Sequence, residues 1–77
     1  MRELDLHGET RDIARILVEE FISDSVKMGE DKIIIIHGIG NGILRKQVQQ
    51  VLKKNKYVEK SYIDFFNIGQ TIVDLKK

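Results

Sequence analysis

Lys32-Ile33-Ile34-Ile35-Ile36-His37-Gly38-Ile39-Gly40-Asn41-Gly42 is the stretch on which the fold turns. Four consecutive isoleucines are a β-branched run without polar alternation, as expected of a central strand covered along much of its length. The glycines end that strand. Beyond them Leu44, Val48, Val51 and Leu52 recur at helical spacing, so a helix is expected over residues 43–54, with a basic exposed side and Asn55 as its stop.

Upstream, residues 10–28 carry a second helical pattern. Ile13, Leu17 and Phe21 form one i,i+4 row and Ala14, Val18, Ile22 and Val26 the adjacent one, which predicts packing by a broad face. Thr10 is the expected N-cap, Asp12 sits near the positive end of the helix dipole, and Gly29 suits a left-handed stop. Before this helix, Leu4 and Leu6 alternate with Glu3, Asp5 and His7, the period of a first strand that sets Asp5 and His7 on one face. Downstream, residues 58–66 and 70–75 read as a hairpin joined by Asn67-Ile68-Gly69, with the glycine supplying a positive φ. The order βαβαββ, with right-handed crossovers, predicts an α/β chain of the two-layer α+β kind: a four-stranded mixed sheet with both helices on one face. Tyr62, Phe65 and Phe66 then either pack under the helices or lie exposed for a partner.

Seventy-seven residues make one domain, with no linker, repeat or low-complexity tract to divide it. The chain has no cysteine, which removes disulfides and thiolate metal sites, and no apolar run approaches the roughly 20 residues that span a bilayer. The start lacks the apolar stretch of a secretory signal, so a cytoplasmic protein is expected. Net charge is only +1, yet residues 1–40 hold five Lys/Arg against nine Asp/Glu, whereas residues 41–77 hold eight against three. Such a dipolar domain can present its basic half to a polyanion.

Both histidines precede glycine and close a short apolar run, at Leu4-Asp5-Leu6-His7-Gly8 and at the isoleucine strand. Two parallel neighbouring strands one βαβ unit apart would bring both imidazoles to the same carboxyl-end edge, where ligands of open α/β sheets bind. The Gly38 to Gly42 loop, ahead of a helix, permits close backbone approach and leaves N–H groups facing outward, which makes it a candidate phosphate cradle supported by Arg45 and Lys46. It matches neither the Walker A loop nor the dinucleotide fingerprint. His7 and His37 titrate near neutrality, so one can take a proton from an attacking hydroxyl or water while the other donates to a leaving oxygen, with Asp5 orienting an imidazole and Arg45 or Lys46 stabilising transition-state charge. Lys53 is a further candidate phosphate contact. A metal site built from Asp5, His7 and His37 is the less favoured alternative, and no cofactor is required by the expected chemistry.

Together these residues resemble the Smr (small MutS-related) domain, marked by Leu-Asp-x-His-Gly and by His-Gly-x-Gly-x-Gly, here His37-Gly38-Ile39-Gly40-Asn41-Gly42 followed by Leu44-Arg45. The resemblance runs to the closing Thr71-Ile72-Val73-Asp74-Leu75 strand, and it implies a fold similar to the C-terminal domain of bacterial translation initiation factor three. It assigns His7 and Gly8 to the first motif and His37, Gly38, Gly40 and Gly42 to the second, with Arg45 just after. Asn67-Ile68-Gly69 stands where the family commonly has a glycine pair.

The resemblance implies a module that binds branched or structured DNA, or RNA, and in several members nicks it; the function expected of this chain is a nicking endonuclease domain acting on DNA or RNA without base specificity. The alternative is a binding-only module that holds structured nucleic acid or a ribosome, with its rRNA, for a linked ATPase. Residues 1–77 are expected to be a single such domain excised from a longer protein, behind an ATPase in the same chain.

Overall fold

The isoleucine run does form the middle of a sheet. The computed structural model describes residues 1–77 as β1 (Arg2–Asp5), α1 (Arg11–Lys27), β2 (Lys32–Ile36), α2 (Ile43–Lys54), β3 (Val58–Asp64) and β4 (Asn67–Leu75). The sheet order is β1-β2-β4-β3; β1 runs parallel to β2, and β4 is antiparallel to both β2 and β3. This is the expected mixed sheet.

Register decides what is buried. Ile33 lies opposite Arg2 and Val73, and Ile35 opposite Leu4 and Thr71, so these residues share one face. Against that face pack Ala14, Val18, Phe21 and Ile22 of α1 and Val48, Val51 and Leu52 of α2, forming one core with Leu6, Ile33, Ile35, Val73 and Leu75. Each fully buried aliphatic side chain contributes about 1.5–3 kcal/mol over exposure. The other face carries Ile34, Ile36 and Ile72, half-buried with no helix above them. On it Lys32 Nζ donates to the Tyr62 hydroxyl at 3.2 Å and pairs with Asp74 at 3.1 Å.

Helix α1 begins as expected, with Thr10 Oγ1 accepting from Ile13 N, and it ends at Met28 followed by Gly29 at φ +76°. Its packing face is narrower than the two apolar rows suggest: Ile13 is 44% exposed, because the row that continues through Ala14, Val18 and Ile22 points directly at the sheet. Asn55 does stop α2, but from an extended conformation, its Oδ1 accepting from Tyr57 N.

The hairpin differs from expectation. Its turn is Phe65–Phe66, and Asn67-Ile68-Gly69 belongs to β4, where Gly69 has no positive φ. The reason is Asp64. Its Oδ1 accepts from Phe66 N at 2.9 Å and its Oδ2 from Gln70 Nε2 at 2.8 Å, a side-chain-closed turn that needs no left-handed residue. Register shifts between Ile63 and Asp64, which face Thr71 and Asn67, so the extra residues of β4 bulge there. Tyr62 lies on the open face, and both phenylalanines stand outside the core.

Candidate functional site

Because β1 and β2 are parallel, the loops that follow them leave the same edge of the sheet. Leu6 N still donates to Ile36 O at 2.9 Å, so the two His-Gly pairs start side by side. They enclose a cleft of about 450 Å³ lined by Asp5, His7, Gly8, His37, Gly38, Gly40 and neighbouring apolar side chains. A smaller hollow of about 110 Å³ within the second loop is bounded by Leu44 and Arg45.

The two imidazoles occupy opposite environments. His37 continues the buried parity of Ile33 and Ile35 and is only 6% exposed. Its Nδ1 lies 2.8 Å from Gly38 O and its Nε2 2.9 Å from Thr71 Oγ1. A carbonyl only accepts, so Nδ1 carries the proton, and neutral Nε2 accepts from the Thr71 hydroxyl. Gln49 Nε2 in turn donates to Thr71 Oγ1 at 3.0 Å. Burial holds the His37 pKa below the ordinary 6.5; the bond to Gly38 O opposes this, and the Arg45 guanidinium reinforces it.

His7, by contrast, is exposed. Strand β1 ends at Asp5, so His7 has left the pleat, and the Asp5 carboxylate accepts from the His7 backbone N–H at 2.9 Å. Asp5 therefore shapes the loop through its main chain instead of holding the ring. Asp5, His7 and His37 do not converge as a three-ligand donor set, since the His37 ring turns inward.

The second loop is built for close approach. Gly42 caps α2 at φ +84° without a side-chain cap, and a Cβ there would lie 3.5 Å from Arg45 Nη2. Asn41 Oδ1 accepts from Ile43 N at 3.1 Å, which leaves the N–H groups of Leu44 and Arg45 as the unpaired donors of the first turn. Lys46 and Lys53 lie elsewhere: with Lys60 they line a groove between α2 and β3. The structure thus brings together Asp5, His7, Gly8, His37, Gly38, Gly40, Asn41, Gly42 and Arg45, and separates Lys46 and Lys53 from them.

Three contributors escaped the sequence reading. Gly69 O accepts from both His37 N and Gly38 N, at 3.0 and 2.8 Å, tying the hairpin to the second loop. Thr71 and Gln49 complete the chain of bonds to His37. For Thr71 the signal was a polar residue in line with the inward-facing Val73 and Leu75; Gln49 gave none, since it lies with Lys46 and Lys53 on the polar side of α2.

The model of the Smr domain matches residues 4–76. Similar proteins include Endonuclease MutS2 of Geobacillus sp. strain WCH70 and Endonuclease MutS2 of Bacillus velezensis, each 43% identical over 77 residues and covering 96% of this chain. The chain spans about a tenth of the length of these curated relatives. Among solved structures, the Smr domain of Thermus thermophilus MutS2 superposes over the whole of both chains with a TM-score of 0.96 at 28% identity. YdaL, a stand-alone small MutS-related protein from Escherichia coli, gives 0.92 at 25% identity over 97% of this chain and 64% of its own.

Proposed function

The chain belongs to the Smr domain family, and from that premise we propose that it is a nucleic-acid-binding nicking endonuclease domain, acting on DNA, with RNA as a second substrate, without base specificity. The observation that carries this reading is the convergence of both His-Gly loops on one cleft beside Arg45 and the free N–H groups of α2. A phosphate seated there meets the helix dipole and a guanidinium, contacts that are indifferent to base identity. His7 is the group a substrate can reach, so it serves as the proton-transfer residue, while His37 positions the loop through its bond to Gly38 O. In this reading the domain needs no metal and works beside an ATPase in a longer cytoplasmic chain.

One observation favours the binding-only alternative, in which the domain holds structured nucleic acid or a ribosome. Both ring nitrogens of His37 are engaged inside the fold, so a two-histidine acid–base pair would require a bond to break. The two readings separate on supercoiled plasmid and structured RNA, each incubated with the parent and with His7→Ala in EDTA and in magnesium. Nicking by the parent in EDTA, reduced about 100-fold in His7→Ala with binding retained, supports the catalytic reading. Equal nicking by both removes His7 from the chemistry. Binding without nicking under either condition establishes the alternative, and nicking only with magnesium replaces acid–base catalysis by metal chemistry.

A further inference from the structure

Phe65 and Phe66 form the two-residue turn between β3 and β4, and they are 96% and 100% exposed. Folding does not explain them. The turn is closed by Asp64, which accepts from Phe66 N and Gln70 Nε2, and is braced by Asn67, whose side chain bonds both Gln70 and Gly69. None of these bonds uses an aromatic ring. Two rings left this exposed forgo the burial that makes aromatic side chains valuable in cores and interfaces.

The tip is also held at a fixed place. From Phe66, β4 runs three residues to Gly69, whose carbonyl accepts from His37 N and Gly38 N. Three residues span at most roughly 10 Å even when fully extended, so the rings stand within a short distance of the glycine loop. Ile39, 60% exposed, and Ile68, 51% exposed, extend the apolar surface in that loop and in the strand leading from the tip.

We propose that the Phe65–Phe66 tip is a base-stacking wedge that engages unpaired nucleobases while their phosphates sit on the Gly38 to Gly42 loop and Arg45. A nucleotide offers both an apolar π-face and an anion within one short segment, and this edge offers an aromatic pair and an anion-accepting loop on one rigid frame. The only carboxylate at the tip, Asp64, already accepts two hydrogen bonds, which hold its pKa below the usual carboxylate range, led by the Phe66 N–H. In intact duplex the π-faces are already stacked, so the wedge acts on gaps, flaps and single strands. This inference rests on the nucleic-acid reading above.

The test compares a gapped duplex bearing 2-aminopurine in the gap with the fully paired duplex of the same sequence, at one ionic strength. The parent should bind the gap more tightly and change the probe's emission. Phe65→Ala/Phe66→Ala should lose roughly tenfold or more in gap affinity, together with the emission change, while duplex affinity stays within about twofold. The corresponding double leucine variant keeps an apolar tip without a π-face and should fail in the same way; Arg45→Ala should weaken both substrates alike. Circular dichroism should be unchanged for all, since both phenylalanines lie outside the core. Equal affinity of parent and phenylalanine variants for both substrates overturns the wedge and leaves the nucleic-acid reading standing. Full retention by the leucine variant overturns stacking in favour of plain apolar contact. A parent that binds neither substrate sinks both readings, and loss of self-association alone in the phenylalanine variants would make the tip a contact for a second copy.

Discussion

His7 and His37 share the same next residue and the same kind of preceding apolar run, yet one imidazole is free and the other is part of the core. The difference lies in parity. Leu4 and Leu6 take the inward positions of the first run, which leaves His7 on the other side, whereas His37 follows Ile33 and Ile35 inward; the alternation around His7 was legible, but four unbroken isoleucines hid the parity of His37. The buried ring gives a pH signature. Its folded pKa lies below 6.5, so between the lowered value and 6.5 the unfolded chain binds more protons than the folded one. The stabilisation is complete above 6.5 and is lost as pH falls through the folded value. Thermal denaturation should therefore show a Tm that is flat above neutrality and declines below about 6.5, with the decline removed in His37→Gln. Asp64 contributes in a separate window, since its depressed value preserves stability above 3.8 and loses it only as pH falls further. His37→Ala should also cost about 1–3 kcal/mol by stranding the Thr71 hydroxyl and Gly38 carbonyl, against about 0.5 kcal/mol or less for exposed His7→Ala. If the Tm profile of His37→Gln follows the parent, the decline does not arise from protonation of the buried His37.

At the scale of elements, both helices and the first two strands were legible because apolar spacing and caps agree there with the tertiary fold, as at Thr10, Gly29 and the isoleucine run. The hairpin was not. Gly69 looks like a turn residue, but its work is close packing: a Cβ there would sit 3.3 Å from Asn67 Oδ1 and 3.5 Å from the Gly38 backbone. Turn and glycine are separated because Asp64 closes the turn by its side chain, a device visible in sequence only as one acidic residue among apolar ones. The hairpin is thus a brace for the second loop, and Gly69 is where the two touch. Gly69→Ala needs only a few tenths of an ångström of give, whereas the branches of valine must displace the Gly38 main chain. Gly69→Val should accordingly lose about 1–3 kcal/mol in denaturant unfolding, and weaken nucleic-acid binding beyond what the residual unfolded fraction explains, while Gly69→Ala stays near the parent on both counts. Valine tolerated at parental stability and affinity would show that the loop holds its shape without the hairpin.

For the whole molecule, a net charge of +1 is too small to draw a polyanion from a distance, so attraction must come from the excess of Lys and Arg in residues 41–77. The structure divides that excess between two places: Arg45 stands at the glycine loop, whereas Lys46, Lys53 and Lys60 line the groove between α2 and β3. A backbone seated on the loop alone releases few counterions, and one that continues along the groove releases several more, so the slope of log affinity against log salt measures the path. We expect the longer path. Arg45→Ala should reduce the slope by about one and cost on the order of 1–2 kcal/mol whatever the sequence, since one charge-assisted phosphate contact is lost. Lys53→Ala should reduce the slope by a similar step at smaller cost, because a lysine in an open groove is a solvated point charge without guanidinium geometry. A double variant whose slope falls by about two places loop and groove on one continuous track. If Lys53→Ala leaves the slope untouched while Arg45→Ala lowers it, nucleic acid meets this domain only at the edge where the two His-Gly loops emerge, and the basic groove serves no phosphate.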